Sequence, residues 1–186
     1  MFDPRRFRLD RSRAVLLVID VQERLAAAMP RASYETALAN MIRWVEGGKV
    51  LGLPILWTEQ YVKGLGPTVA PLREAIGSLA TPVEKLDFTC LVPPVAEALA
   101  GKEQVVCVGM ETHVCVFQTA RDLVERGLCA FVPADAVCSR TEENRKVGLD
   151  LARAMGATVT GTETGLFDLV RRAGSDEFRA ISRLVK

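Results

Sequence analysis

The apolar positions of this chain fall into short continuous runs and longer spaced series, and the two kinds alternate. Ala14 to Ile19 reads AVLLVI, with no polar alternation. Such a run predicts a strand buried on both faces, and Asp20 ends it. Between Tyr34 and Leu51 the residues Leu38, Met41, Ile42, Val45 and Leu51 recur near a 3.6 period, which predicts a helix stopped by Gly52. Pro54 opens a second strand, Ile55 to Thr58. Gln60 to Pro71 holds Gly64, Gly66, Pro67 and Pro71 and reads as a loop. A weaker third strand runs from Pro82 to Leu86. Pro93 and Pro94 start a short helix, Val95 to Ala100, since proline suits a first helical turn. Val105 to Val108 is a fourth strand, and His113 to Arg126 a helix closed by Gly127. Leu128 to Val132 is a fifth strand. Thr141 caps a helix that runs to Met155 and stops at Gly156. Ala157 to Thr160 is a sixth strand, and Leu166 to Ala173 and Asp176 to Leu184 read as helices.

Strands and helices therefore alternate along the chain. That pattern predicts an α/β fold with a mainly parallel sheet covered by helices on both faces, a three-layer α-β-α arrangement. The 186 residues suit one domain over residues 14–186, preceded by a basic leader over residues 1–13. Arg5, Arg6, Arg8, Arg11 and Arg13 make the leader basic, and Asp3 and Asp10 dilute it, so a solvated arm is expected.

Composition narrows the partners. The net charge of +1 gives no general attraction to nucleic acid or to a membrane surface. No apolar run is long enough to cross a bilayer, and no signal peptide is expected. The five cysteines (Cys90, Cys107, Cys115, Cys129 and Cys138) form no C-x-x-C pair. A disulfide framework is therefore not expected, and a cytoplasmic location is.

The richest stretch for chemistry is Gln104 to Leu123, QVVCVGMETHVCVFQTARDL. A buried strand turns at Gly109 into a helix whose first turn carries Cys115. A helix N-terminus has unpaired N–H groups and partial positive charge, which favour thiolate. The alternative is that Cys115 is a packing residue, as cysteines often are. In an open parallel sheet ligands bind beyond the carboxyl ends of the strands. Asp20, Lys85 and Cys115 all lie at or just past strand ends. Asp20 could equally cap the following helix, and Lys85, beside Glu84 and Asp87, could be a solvated surface residue.

Counting removes several chemistries. His113 is the one histidine. It stands two residues before Cys115, so on a helix the two side chains diverge, and a Cys–His pair is not expected. A histidine zinc site lacks ligands. No phosphate loop and no G-x-G-x-x-G dinucleotide turn is present, so no cofactor is expected.

These residues resemble a known family. The segments VLLVIDVQERL around Asp20, EKLDFTC around Lys85 and VVCVGMETHVCVFQTARDL around Cys115 are similar to the isochorismatase-like cysteine hydrolases, as is FVPADAVCSRTEENR. The resemblance extends from about Arg13 to Lys186, and the WTEQYVKGLGPT loop resembles the isochorismatase-domain-containing subgroup. It implies a six-stranded sheet in the order 3-2-1-4-5-6 and a triad of Asp20, Lys85 and Cys115. It implies a cis peptide between Met110 and Glu111, and an oxyanion hole from the backbone N–H groups of Glu111 and Cys115. It implies a small-molecule substrate, cleaved at an amide C–N bond through an acyl-thioester, and a homo-oligomer. Gln60, Tyr61 and His113 are candidate pocket residues. Relatives that are metal-dependent nicotinamidases carry Asp and His after the second strand. Here Thr58-Glu59-Gln60-Tyr61 has no histidine, so no metal is expected. Two other readings stay open: vinyl-ether hydrolysis of the isochorismatase type, with Asp20 as proton donor, and a catalytically silent binding or scaffold protein.

Overall fold

The computed structural model describes residues 7–186. In chain order the elements are β1 (Ala14–Ile19), α1 (Glu23–Ala27), α2 (Arg31–Leu51), β2 (Ile55–Gln60), α3 (Val62–Leu65), α4 (Ala70–Ile76), β3 (Val83–Lys85), α5 (Pro93–Ala98), β4 (Gln104–Met110), α6 (Phe117–Glu125), β5 (Cys129–Pro133), β6 (Val137–Cys138), α7 (Glu142–Ala154), β7 (Thr158–Thr160), α8 (Thr162–Val170) and α9 (Asp176–Leu184).

β1 lies inside the sheet because both of its faces are apolar. Ala14, Leu16 and Val18 point into one core, with Met41, Trp44 and Val45 of α2, Leu72 and Ile76 of α4, Leu166 of α8 and Ile181 of α9. Val15, Leu17 and Ile19 point into the other, with Val95 of α5, Ala120 and Leu123 of α6, and Leu149 of α7. The result is three layers. Burying each Val, Leu or Ile of β1 contributes roughly 1.5–3 kcal/mol, so this strand anchors both cores.

The strand order is β3-β2-β1-β4-β5-β7, all pairs parallel, with β6 bonded to β4. This is the expected 3-2-1-4-5-6 order, with the last strand renumbered because β6 intervenes. A two-residue strand has too little pattern to be read from sequence, and Val137–Cys138 was not anticipated. β5 pairs with Gln104–Val106 and β6 with Gly109 and Met110, so the two lie in succession along one side of β4.

Other boundaries differ for identifiable reasons. α2 begins at Arg31, three residues before the expected start, because its first turn is polar and lies outside the apolar period. Gln60 to Pro71 is not all loop: β2 runs on to Gln60, α3 follows, and Pro71 sits in the first turn of α4. The helix expected from His113 begins with a π-helical turn, Thr112–Val116, before α6. The leader expected to be solvated is tied down in part: Arg11, Ser12 and Arg13 are exposed, but Leu9 is not. Leu9 is buried, Asp10 N–H and Arg8 C=O bond to the Gln104 side chain, and Arg11 pairs with Glu177. Arg5 and Arg6 lie outside the described residues.

At the end of their pairing β1 and β4 bring Ile19 opposite Gly109. Gly109 has φ +129°, and a Cβ there would sit 2.1 Å from the Ile19 carbonyl oxygen. Only glycine permits this approach, which draws the end of β1 against the end of β4. Gly109→Ala is expected to lower stability by roughly 3 kcal/mol or more, from backbone strain and overlap together. Urea unfolding of the variant measures this, and a loss below 1 kcal/mol would contradict it.

Candidate active site

The carboxyl ends of β1, β2, β3 and β4 share one edge of the sheet. Asp20 follows β1 with φ +50°, a left-handed conformation that Asp adopts more readily than most residues. It does not cap a helix: the residue before α1 is Gln22. The Asp20 carboxylate is fully buried and meets Lys85 Nζ at 2.6 Å through Oδ2. Lys85 is thus a buried residue at the end of β3, and the solvated reading does not hold. Its ammonium also donates to Gln60 Oε1 at 2.8 Å and to the carbonyls of Asp87 and Phe88 at 3.1 and 3.2 Å. The other Asp20 oxygen, Oδ1, accepts from Thr58 Oγ1 at 2.7 Å.

Cys115 lies in the π-helical turn, about 5% exposed, with its thiol beside the Asp20 carboxylate. The three residues expected from separate motifs therefore meet. Their electrostatics differ from the expectation of a depressed thiol pKa. Burial pushes the Cys115 thiol well above its ordinary value, and the Asp20 charge adds to this. Lys85 opposes the shift, and the hydrogen bond to Asp20 and the proximity of Cys90 add to it again. Burial by itself would lower the Lys85 pKa, but the anionic forms of Cys90, Asp20 and Cys115 and the hydrogen bond to Asp20 raise it overall. Burial therefore favours the neutral form of the thiol beside the Asp20–Lys85 pair.

The peptide bond between Met110 and Glu111 is cis, as the resemblance implied. The turn that follows is held from β6. Ser139 Oγ accepts from Thr112 N–H at 3.1 Å and lies 3.1 Å from His113 Nδ1. Glu111 is buried, and its carboxylate accepts from the N–H and Nε of Arg140. His113 is part of this scaffold through its contact with Ser139.

The other candidate pocket residues separate. Gln60 is buried, its amide committed to Lys85 and to the Leu86 carbonyl at 2.8 Å, so it orients Lys85. Tyr61 is exposed, with φ +36°, and its ring lies over Gly64. With Val62, Lys63, Glu84, Lys85 and Leu86 it lines a cavity of about 410 Å³. Sequence reasoning missed Gln22, whose buried amide bonds to Gln60 N–H, Gln60 C=O and Gly66 C=O and so ties the β2 end to the loop. It also missed Thr58 and Cys90. The signal for Gln22 was its place in the VIDVQ segment; Thr58 and Cys90 carried none.

Metal ligation finds little among these side chains. Glu59 accepts from Thr68 N–H and Oγ1, both at 2.7 Å, and Thr58 is bonded to Asp20. Among the described residues no group of three or more His, Cys, Asp or Glu side chains could hold an ion. No helix there is long and apolar enough to cross a membrane.

Comparison with known proteins gives a consistent result. The pattern of the isochorismatase domain matches residues 14–164. A secreted isochorismatase effector of Phytophthora sojae is 36% identical over 182 residues, covering 93% of this chain and 84% of that protein. Mouse isochorismatase domain-containing protein 2A is 36% identical over 176 residues, covering 93% and 82%. The solved structure of MAR1 ribonuclease from Caenorhabditis elegans superposes with a TM-score of 0.90 at 34% identity, covering 96% and 92%.

Two outcomes follow from this geometry. Asp20→Asn removes the anion beside Cys115, so the thiol should titrate at lower pH than in wild type. Thiolate ultraviolet absorbance, referenced to Cys115→Ala, measures it, and an unchanged or higher midpoint would contradict it. Lys85→Met leaves Asp20 buried and unpaired and should cost about 3–5 kcal/mol in urea unfolding, part of it recovered in Asp20→Asn/Lys85→Met.

Proposed function

The chain belongs to the isochorismatase family, and we propose that it is a cysteine-dependent hydrolase of a small-molecule amide. One observation carries this reading: a fully buried Asp20–Lys85 pair beside a buried thiol at the carboxyl edge of the sheet. A buried ion pair is a poor device for stability alone, because desolvation offsets most of its attraction. Beside a thiol it is a proton acceptor with a fixed counter-charge.

The reaction starts from the neutral triad. Losing the Cys115 proton to solvent would leave the buried site with a net negative charge, which is what the raised thiol pKa reflects. Passing the proton to Asp20 keeps the site's net charge unchanged, since Lys85 then faces a thiolate instead of a carboxylate. The sulfur attacks the substrate carbonyl as the proton moves, a carbon–sulfur bond forms, and the carbonyl π electrons pass to oxygen. The backbone N–H groups of Glu111 and Cys115 are the proposed donors to that oxyanion, each worth roughly 100- to 1,000-fold in rate. Collapse breaks the C–N bond, and Asp20 returns its proton to the leaving nitrogen. Asp20 then takes a proton from water as the water oxygen attacks the thioester. The carbon–sulfur bond breaks, the acid leaves, and Asp20 hands the proton back to sulfur.

Metal independence is part of the proposal and rests on the committed side chains of Thr58 and Glu59. Five free thiols favour a reducing compartment, so we also propose a cytoplasmic location. Homo-oligomerisation is supported by Val147 and Leu151 on α7 and Met155 just past its end, which are exposed at four-residue spacing.

A panel of small amides tests the central claim. Acid quenching during turnover should trap a mass increase on Cys115 equal to the acyl group, with amine released, and Cys115→Ala should show neither. Full amide turnover in Cys115→Ala would sink the reading. Because one solved relative is named a ribonuclease, RNA belongs in the same panel. RNA cleavage that depends on Cys115, without amide turnover, would replace the amide assignment.

A further inference from the structure

Behind the Asp20–Lys85 pair lies a second set of buried polar groups that the mechanism above does not use. Thr58 is the third residue from the end of β2, Cys90 precedes α5, and Thr119 is on α6. All three have no exposed surface, like Asp20. Thr58 Oγ1 lies 2.7 Å from Asp20 Oδ1 and 3.4 Å from Cys90 Sγ. The Cys90 N–H donates to Thr119 Oγ1 at 2.9 Å.

The chemistry of the groups fixes the direction of this chain. An ionised carboxylate only accepts, so the single hydroxyl proton of Thr58 goes to Asp20. Thr58 then has only lone pairs left for Cys90, and the Cys90 S–H must be the donor. Burial, with the Asp20 charge adding to it, pushes the Cys90 thiol up to about 12, which keeps that proton in place. Thr119 is four residues beyond Cys115 on the same helical face. The set therefore closes on itself: the helix that carries the nucleophile holds Cys90, Cys90 bonds to Thr58, Thr58 bonds to Asp20, and Asp20 lies beside the nucleophile.

We propose that Thr58, supported by Cys90, is a positioning residue that fixes the rotation of the Asp20 carboxylate. This rests on the reading of Asp20 as the base for Cys115. Lys85 holds Oδ2 and Thr58 holds Oδ1, so the two oxygens are distinct and the carboxylate cannot turn. A threonine needed only for packing would be satisfied by any backbone carbonyl. Here its donor is given to the one charged acceptor beside the thiol. Cys90, despite its closeness to the site, is assigned as a donor and not as a second nucleophile.

The test needs no substrate. Iodoacetamide alkylation of Cys115 in the full chain is followed by mass spectrometry across the acid range, in wild type, Thr58→Val, Thr58→Ser, Cys90→Ala and Asp20→Asn. The groups facing Asp20 are Lys85 from β3, Cys115 from the π-helical turn and Cys90 from the segment before α5. Lys85 stays charged and both thiols stay protonated in that range, so the acid limb of reactivity reports protonation of Asp20. A hydrogen bond to a charged group is worth enough that Thr58→Val should move this limb to higher pH by about one to two units. Thr58→Ser should match wild type, and Cys90→Ala should move the limb in the same direction by less. Thermal melting confirms that each variant is folded. A Thr58→Val profile that overlays wild type, while the Asp20→Asn profile departs from it, would overturn the proposal and leave the base assignment standing. An Asp20→Asn profile that overlays wild type would overturn the base assignment itself. Alkylation of Cys90 in folded wild type would overturn its role as a donor.

Discussion

The structure depends on a buried ion pair between Asp20 and Lys85. Taking two such charges out of water costs several kcal/mol each, and the pair persists only because its remaining protons and lone pairs are met. Thr58 meets one Asp20 oxygen. Gln60 and the carbonyls of Asp87 and Phe88 meet the lysine. Gln22 in turn holds Gln60. These groups come from the ends of three adjacent parallel strands and the segments that follow. No local segment could gather them; the parallel sheet does so because all its strands end on one edge.

The same pair sets the electrostatic character of Cys115. A cysteine in the first turn after a strand invites the expectation of a resting thiolate. Burial and an adjacent carboxylate work the other way and keep the thiol protonated. Reactivity on this account comes from moving one proton over a hydrogen bond inside a closed site, with Lys85 facing whichever partner is negative.

Much of the architecture was legible because the physics is local. A continuous apolar run such as Ala14 to Ile19 can be buried on both faces only within a covered sheet, and the alternation with helices makes that sheet parallel. Gly52 marked a helix end through its left-handed backbone, and Thr141 marked a helix start through its side-chain cap. What was not legible had no periodic signal. β6 is two residues long, the π-helical turn looks like ordinary helix in sequence, and the polar first turn of α2 carries no apolar stripe. Leu9 is an isolated apolar residue in a charged stretch, and only its contacts reveal that it belongs to the core.

The sequence by itself determined the strand and helix alternation, the helix stops and the presence of Asp20, Lys85 and Cys115 near strand ends, because these follow from residue type and spacing. Tertiary structure alone decided that Lys85 is buried against Asp20, that Gln60 orients it, that Thr58 and Cys90 stand behind it, and that the thiol rests protonated. Each of those depends on distances between segments far apart in the chain and on the exclusion of water, and neither quantity is written in any local pattern.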